Sequence, residues 1–443
     1  MSFPHAGANE TTRLLDASDG DSGISQPAHV QNGTDDRAKG PRMSTSLNFR
    51  IAATMFSFMI TGLFNASIGV MLAPMSRHYS LTDLHVSFIF LCGPIGYVLA
   101  SPSNASIHTL LGQRGIALIG PLLHTLSALG IAAHPPFTIV LVAFVVNAMG
   151  IGLVDGSWCA WAGGLEKANV VSGLLHGSYS AGAAIGPFVA GVSLGKLAIP
   201  WWDWYYVLAG ASVLELIILA TAFRFENASR YHASKSHITR EPGNTSWKDI
   251  FRHPGTWFSA TYFLTYVGIE TAISGWVVSF MVRSRHASTY FASLSSSGFW
   301  AGMAVGRLTL GHITDRIGVR RAAAMYLLCA IGLLLLFALI SSPIVSIIVM
   351  ASAGFVMGPL FPSGVVVLSE LLPWELHVAA VSFVASVGQI GGAALPFGIG
   401  AVVQGLGIGV FRWIILIFSC IALSMWILFA QLKPRDVARQ RMD

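Results

Sequence analysis

The stretch GMAVGRLTLGHITDRIGVRR, from Gly302 to Arg321, decides how the rest of this sequence is read. It begins as an apolar run with small residues at helical spacing, continues into a short charged turn, and is followed by a new apolar run from Ala322. Small residues let membrane helices pack closely, and a carboxylate at the membrane surface is available to nearby basic groups. We therefore predict a conformational gate at a membrane face, made of Gly311, Asp315, Arg316, Gly318, Arg320 and Arg321.

The composition assigns the chain to a membrane. Of 443 residues, 54% are hydrophobic and only 10% are charged, whereas about a quarter of the residues of a soluble protein are charged. The net charge of +6 is not gathered on a basic face with interleaved aromatic residues, which argues against a nucleic-acid partner. The sequence has no phosphate-binding loop, metal-ligand spacing or nucleophile–base pattern, so we expect a protein that is not an enzyme and uses no cofactor or metal.

Twelve apolar segments are long enough to cross the bilayer, which takes about 20 helical residues. We predict them at 51–72, 86–107, 115–133, 138–161, 172–194, 204–224, 256–282, 291–311, 322–340, 344–368, 379–402 and 409–430. The main polar interruption follows the sixth segment. The predicted organisation is a disordered N-terminal tail (1–49), a six-helix half (50–224), a connecting loop (225–254), a second six-helix half (255–430) and a C-terminal tail (431–443).

Basic residues predict the orientation. Most Lys and Arg side chains, including Arg50, Arg114 and six in the 224–252 connection, fall on one side of the predicted bundle. By the positive-inside rule both termini are cytosolic. Within the N-terminal tail, Glu10, Leu14 and Leu15 resemble an acidic dileucine sorting signal for an adaptor complex; the alternative interpretation of the tail is a spacer. We expect the plasma membrane or the vacuolar membrane.

The two halves are related by an internal repeat. A shift of 206 residues aligns Arg114 with Arg320 and six pairs of glycines spread over the helices. These pairs are Gly69 and Gly275, Gly96 and Gly302, Gly112 and Gly318, Gly152 and Gly358, Gly182 and Gly388, and Gly186 and Gly392. A duplicated six-plus-six bundle explains the match. In the first half Thr109 stands where Asp315 stands in the second, so that copy of the charged turn has decayed.

The charged turn resembles the loop signature of the major facilitator superfamily, which lies between the second and third helix of each half. The resemblance implies an all-α fold of twelve transmembrane helices, in which two six-helix halves rock about a central cavity. It also implies secondary active transport of a small organic solute across the lipid bilayer by alternating access. We expect the Asp315 cluster to form the cytosolic gate and close-packed, glycine-rich helix ends to close the other side.

Ionisable residues inside membrane helices are costly and are therefore functional candidates. Asp155 is the strongest, because a carboxylate partly withdrawn from water can take up and release a proton. Its helix resembles the corresponding helix of the fucose permease group, where an acid in a Gly-Leu-x-Glu segment is protonatable. The segments 174–187 and 270–276 resemble helices 5 and 7 of fungal members of that group. Asp155 matches that acid, while Cys159 replaces the following Asn. The alternative role for Asp155 is a purely structural pairing between helices.

Glu270 is the second buried acid, and it either faces the cavity as a further proton-coupling group or pairs with Arg307. In monocarboxylate transporters, which share the scaffold, an Arg at the position of Arg307 holds the substrate carboxylate; a structural or gating role is the other reading. Side chains with aromatic walls or hydrogen-bonding groups are predicted to line the cavity. They are Asn65, Asn147, Trp158, His176, Tyr179, Ser274, Trp276, Trp300 and Gln389. Glu215 and His124 receive no role.

Three transport functions remain open from the sequence. The first is proton-driven uptake of a sugar-like solute. The second is efflux of a secondary metabolite or its loading into a vacuole. The third is monocarboxylate transport, for which Arg307 would be essential.

Overall fold

The structure is a computed structural model that describes residues 45–236, 247–372 and 376–432. The predicted sorting residues Glu10, Leu14 and Leu15 lie outside the described residues. The first half consists of α1 (Thr45–His78), α2 (Asp83–Ser87), α3 (Ile89–Leu111), α4 (Gln113–Ala132), α5 (Phe137–Gly163), α6 (Ala168–Gly195) and α7 (Asp203–Ala222). The connection holds α8 (Ala228–Ser236) and a 3-10 helix at Trp247–Arg252. The second half consists of α9 (Pro254–Arg285), α10 (Thr289–Ile317), α11 (Val319–Leu339), α12 (Pro343–Met357), α13 (Leu360–Leu371), α14 (His377–Leu406) and α15 (Phe411–Gln431), the last preceded by a 3-10 helix at Ile408–Val410.

The described residues form twelve crossings, because α2 and α3 together make one crossing, interrupted near its start, and α12 and α13 together make another, interrupted near its middle. Each coincides with a predicted segment to within a few residues at either end; most are longer than predicted, whereas α4, α7 and α11 end slightly earlier and α15 begins slightly later. Helix α1 begins at Thr45, five residues before the predicted start of the first half. Pro359 follows the end of α12, where a residue without an N–H breaks the helical ladder.

Ten of the described crossings are long and apolar enough to span a membrane by themselves. The other two, α6 and α10, are 28 and 29 residues long; both contain several serines and a histidine, and α10 also contains Arg307, Asp315 and Arg316. They pack against each other where the two halves meet, with Gly191 against Ser293. Their polarity therefore marks an interior position, because polar groups in a membrane protein face the bundle rather than the lipid.

The repeated glycines occupy equivalent helix crossings in the two halves. A side chain at Gly96 would collide with Ala148, where α3 crosses α5, and one at Gly302 would collide with Ala351, where α10 crosses α12. Gly182 lies against the backbone of α1 in the first half. Its repeat partner, Gly388, lies against α9 in the second. Close helix approach in a bilayer depends on such small residues, so the repeat preserves the crossings.

Gly112 and Gly318, another repeat pair, each link two crossings. Gly112 has a φ of +70° between α3 and α4, and Gly318 has a φ of +91° between α10 and α11. Residues with a side chain rarely adopt these conformations. The tight turn in each charged loop therefore requires glycine.

Candidate functional site

We call the end of the bundle that carries Arg50, Arg114 and Arg320 the basic face, and the other end the opposite face. The two halves are joined at the opposite face. The Arg283 guanidinium of α9 donates to both carboxylate oxygens of Asp83 in α2, at 2.6 and 3.0 Å.

Further contacts accompany this ion pair. The Leu84 amide donates to Oε1 of Gln404 at 3.3 Å, Gly400 lies against Ser87, and Gly195 lies against Tyr290. The opposite face is therefore closed by an ion pair together with close-packed glycines. A cavity of about 500 Å³ remains beside the pair, bordered by Trp276, Ser279 and Gln404 among others.

Asp155 lies between three helices in the middle of the first half. It is partly exposed on α5, and the Tyr97 hydroxyl of α3 donates to its Oδ2 at 3.4 Å. One turn along α5, the Cys159 thiol donates to its Oδ1 at 3.6 Å. The imidazole of His176 on α6 is close enough to interact with the carboxylate electrostatically. No Lys or Arg of the described residues forms an ion pair with Asp155, so its partners are neutral donors and a titratable ring.

Glu270 and Arg307 lie together in the second half. Nη2 of Arg307 is 3.7 Å from Oε1 of Glu270, and Nε donates to the Gly358 carbonyl at 3.3 Å. Nη1 crosses to the first half and donates to Oγ of Ser180 at 2.7 Å. The side chains of Glu270 and Arg307 are only 11% and 17% exposed. Arg307 is therefore neutralised locally and forms a polar bond between the halves.

Tyr179 connects the two groups of charges. Its hydroxyl accepts a hydrogen bond from Asn65 at 3.4 Å, and its ring meets that of Trp300 edge to face at 5.7 Å. The Trp300 indole N–H donates to Oγ of Ser274 at 2.9 Å. Tyr179 also lies within electrostatic range of both acids, the partly exposed Asp155 and the buried Glu270. The structure thus gathers Asn65, His176, Tyr179, Ser274 and Trp300, five of the nine predicted cavity residues, around the two acids.

The other four lie elsewhere. Trp158 is fully buried and stacks on Phe223 at 4.5 Å, and Asn147 is 4% exposed within α5. Trp276 is buried, donates to the Pro396 carbonyl at 2.8 Å and borders the cavity at the opposite face. Gln389 is exposed on α14. We therefore leave Trp158 and Asn147 out of the proposed site.

The predicted gate at the basic face is not engaged as an ion-pair cluster. Asp315, Arg316 and Arg321 are exposed, as are Gly311 and Gly318, and within the described part of the chain Asp315 makes no ion pair. Arg320 instead pairs with Glu370 at 3.2 Å. It also donates to the carbonyls of Ala430 and Leu432, each at 3.0 Å. This partnership has a simple reason: the last carbonyls of a helix lack intrahelical partners and attract cations.

The decayed turn of the first half is covered by the connection. His232 of α8 donates through Nε2 to the Thr109 carbonyl at 3.1 Å. The Arg114 amide donates to the Glu226 carbonyl at 3.0 Å, and the Glu226 carboxylate pairs with Arg50 at 2.6 Å. A carboxylate from the connecting segment therefore lies beside the turn that has Thr109 in place of an Asp.

Glu215 and His124 belong to one buried network that sequence reasoning missed. Both are 0% exposed. Oε2 of Glu215 is 3.0 Å from Nδ1 of His124, and Oε1 accepts a hydrogen bond from Ser57 at 2.5 Å. The signal was present, because an acid and a base placed inside membrane helices are expected to pair. The network joins α1, α4 and α7.

Comparisons with known proteins agree with this architecture. The profile of the Major Facilitator Superfamily matches residues 54–296 and 258–442. "Bypass of stop codon protein 6" of Saccharomyces cerevisiae is 27% identical over 394 residues, covering 82% of this chain and 78% of that protein. The glucose/mannose transporter GlcP of Bacillus subtilis is 27% identical over 143 residues, covering 32% of this chain and 35% of that protein. The crystal structure of a D-xylose–proton symporter matches with a TM-score of 0.68 at 14% identity, covering 88% of this chain and 100% of that one. The predicted twelve-helix fold of two six-helix halves is confirmed.

Proposed function

The chain belongs to the major facilitator superfamily, and from that premise we propose that it moves a neutral, hydroxylated solute of the sugar class, driven by protons. Membership makes it a multi-pass membrane protein and a secondary transporter of a small solute rather than an enzyme. The solute class, the coupling ion and the direction are our proposals. Resemblance to fungal members of the fucose permease-like group is part of the same proposal.

The observation that carries the solute class is the pairing of Arg307. A carboxylate substrate would need this guanidinium free, since bidentate binding uses two of its N–H groups. Arg307 is instead occupied by Glu270, Ser180 and the Gly358 carbonyl. This disfavours monocarboxylate transport. Around it lie hydroxyl, amide and aromatic groups, which suit the hydroxyls and the ring face of a sugar. The partial similarity to a glucose/mannose transporter supports the same class.

Asp155 is our proposed proton carrier. Its hydrogen-bond partners, Tyr97 and Cys159, are neutral, and His176 is nearby. A carboxylate without a fixed cationic partner can gain a proton without breaking an ion pair. Glu270 is held by Arg307 and is the less free of the two acids. We therefore assign proton exchange to Asp155 and solute binding to Glu270, Tyr179 and Asn65.

Alternating access supplies the mechanism. Two features fit the state of the cycle in which the opposite face is closed. Asp83 is paired with Arg283 at that face, and Asp315 at the basic face has no ion-pair partner among the described residues. In the state with the opposite face open, the ion pair between Asp83 and Arg283 separates. Asp315 then pairs with basic residues and forms the gate with Arg316, Arg320 and Arg321. We assign the basic face to the cytosol from the positive-inside rule, in either the plasma membrane or the vacuolar membrane.

The test uses purified protein in proteoliposomes with an imposed proton gradient. A panel of monosaccharides, polyols and monocarboxylates is offered, and accumulation is measured separately from exchange. Asp155→Asn is expected to exchange solute but not accumulate it, whereas Asp203→Asn, at the start of α7, serves as the matched control and keeps both activities. Unchanged accumulation by Asp155→Asn would remove Asp155 from the mechanism. Transport of monocarboxylates but not of sugars or polyols would overturn the sugar proposal. Export of solute driven by the proton gradient would favour the efflux function.

A further inference from the structure

Two arginines lie together at the opposite-face end of the second half, away from the central site. Arg285 is the last residue of α9, and Arg412 lies at the start of α15. Both reach the end of α11, where Arg285 donates to the Phe337 carbonyl and Arg412 donates to the Ala338 carbonyl at 2.9 Å. The two guanidinium groups are close enough to repel each other.

Their charge is not balanced by the described protein. Arg285 is 8% exposed, and neither it nor Arg412 forms an ion pair with a described carboxylate. Nη1 of Arg285 and Nε of Arg412 are buried without a hydrogen-bond partner. The carbonyl end of α11 offers about half a negative charge, against two positive charges. Capping of that helix therefore explains the position of the arginines but leaves an excess of positive charge and two free donors.

The surroundings favour a phosphate group. The Arg285 guanidinium lies over the rings of Phe337 and Phe280, with Cζ at 4.3 and 5.1 Å from their centroids. Arg412 lies 5.3 Å from the ring of Trp413, which is 39% exposed. Exposed tryptophans at helix ends are typical of the level of lipid headgroups. Guanidinium groups with free N–H donors bind phosphate oxygens in a planar, bidentate way.

We propose that Arg285 and Arg412 form a phosphate-binding site at the membrane interface, filled by the headgroup of a phospholipid or by dissolved phosphate. The bound anion satisfies the free donors and holds together the ends of α9, α11 and α15. Because α9 also carries Arg283, the occupied site steadies the helix end that closes the opposite face.

The test measures phospholipid and phosphate binding by the purified full-length protein. Native mass spectrometry counts retained phospholipids, and thermal unfolding in detergent is followed with added phosphatidylglycerol or with inorganic phosphate. Arg412→Gln is the main variant because Arg412 is only partly buried and the change is expected to fold. Lys196→Gln, an exposed cation on the same face, is the matched control.

We expect Arg412→Gln to bind about tenfold more weakly, as loss of a charge-assisted hydrogen bond predicts, and Lys196→Gln to bind as the wild type does. Stabilisation by phosphatidylglycerol but not by inorganic phosphate identifies the headgroup as the source. Stabilisation by both identifies a general phosphate site. Equal lipid retention and equal thermal shifts in the wild type and Arg412→Gln would overturn the proposal.

Discussion

Breaking the ion pair between Asp83 and Arg283 should open the opposite face more often. The carboxylate accepts two charge-assisted hydrogen bonds, at 2.6 and 3.0 Å, which is a strong geometry. The Arg283 and Asp83 side chains are, however, 40% and 19% exposed, so solvent screening limits the pair to about 1 kcal/mol. Replacing Asp83 by Asn should therefore shift the ratio of closed to open protein by about fivefold.

The rate at which a buried cysteine reacts reports this shift. Ser279 borders the cavity beside the pair and is 3% exposed. Ser279→Cys is introduced into a parent variant whose four native cysteines are replaced by Ala, and this protein is treated with a membrane-impermeant thiol reagent. Modification should be about fivefold faster when Asp83→Asn is added, because the thiol becomes accessible only when the halves separate.

Exchange of the two charges is the control. The double variant Asp83→Arg with Arg283→Asp restores an ion pair of reversed polarity and should bring the modification rate back towards that of the parent. A single variant that reacts no faster than the parent would refute the reasoning. So would a double variant that reacts as fast as the single one, since the effect would then not depend on pairing.

Three further outcomes are expected. Gly191→Val should reduce solute uptake about tenfold, because the added side chain collides with α10 where the halves close. The control Gly210→Val, in open space on α7, should transport normally. Equal uptake by the two variants would contradict this prediction. Glu215→Gln should lower the free energy of unfolding by about 3 kcal/mol, because it breaks a fully buried pair. An unchanged melting temperature would argue against this. Gly318→Ala should lower the free energy of unfolding by about 1 kcal/mol, because alanine is strained at the positive φ of this position. Gly311→Ala, where φ is not positive and no atom is near the added Cβ, should leave it unchanged in the same thermal assay.

The crossings were predictable because each one is long, apolar and bounded by polar turns. The sequence also indicated Asp155 and Glu270, since an acid inside an apolar helix stands out whatever its partners are. The paired glycines at a constant offset predicted the duplicated architecture, and the helix crossings at Gly96 and Gly302 show why those glycines are needed.

Partners across the bundle were not predictable in the same way. Trp158 and Trp300 look alike in sequence, and only the rotation of their helices places the first against Phe223 and the second beside Tyr179. Asp83 and Arg283 resemble ordinary surface charges until the two halves come together. Arg320 was predicted to serve the gate, but the free carbonyls at the end of α15 are its nearest acceptors.

The buried network of Ser57, His124 and Glu215 bears on how the protein is made. Its members come from the first, third and sixth crossings, so the third enters the bilayer before its acidic partner has been synthesised. An acidic side chain alone at mid-bilayer costs about 3 kcal/mol, and that cost falls only when Glu215 meets His124. The first half should therefore reach its stable fold only once α7 has been inserted. A nascent chain released before α7 leaves an incomplete bundle, which cellular quality control is expected to degrade.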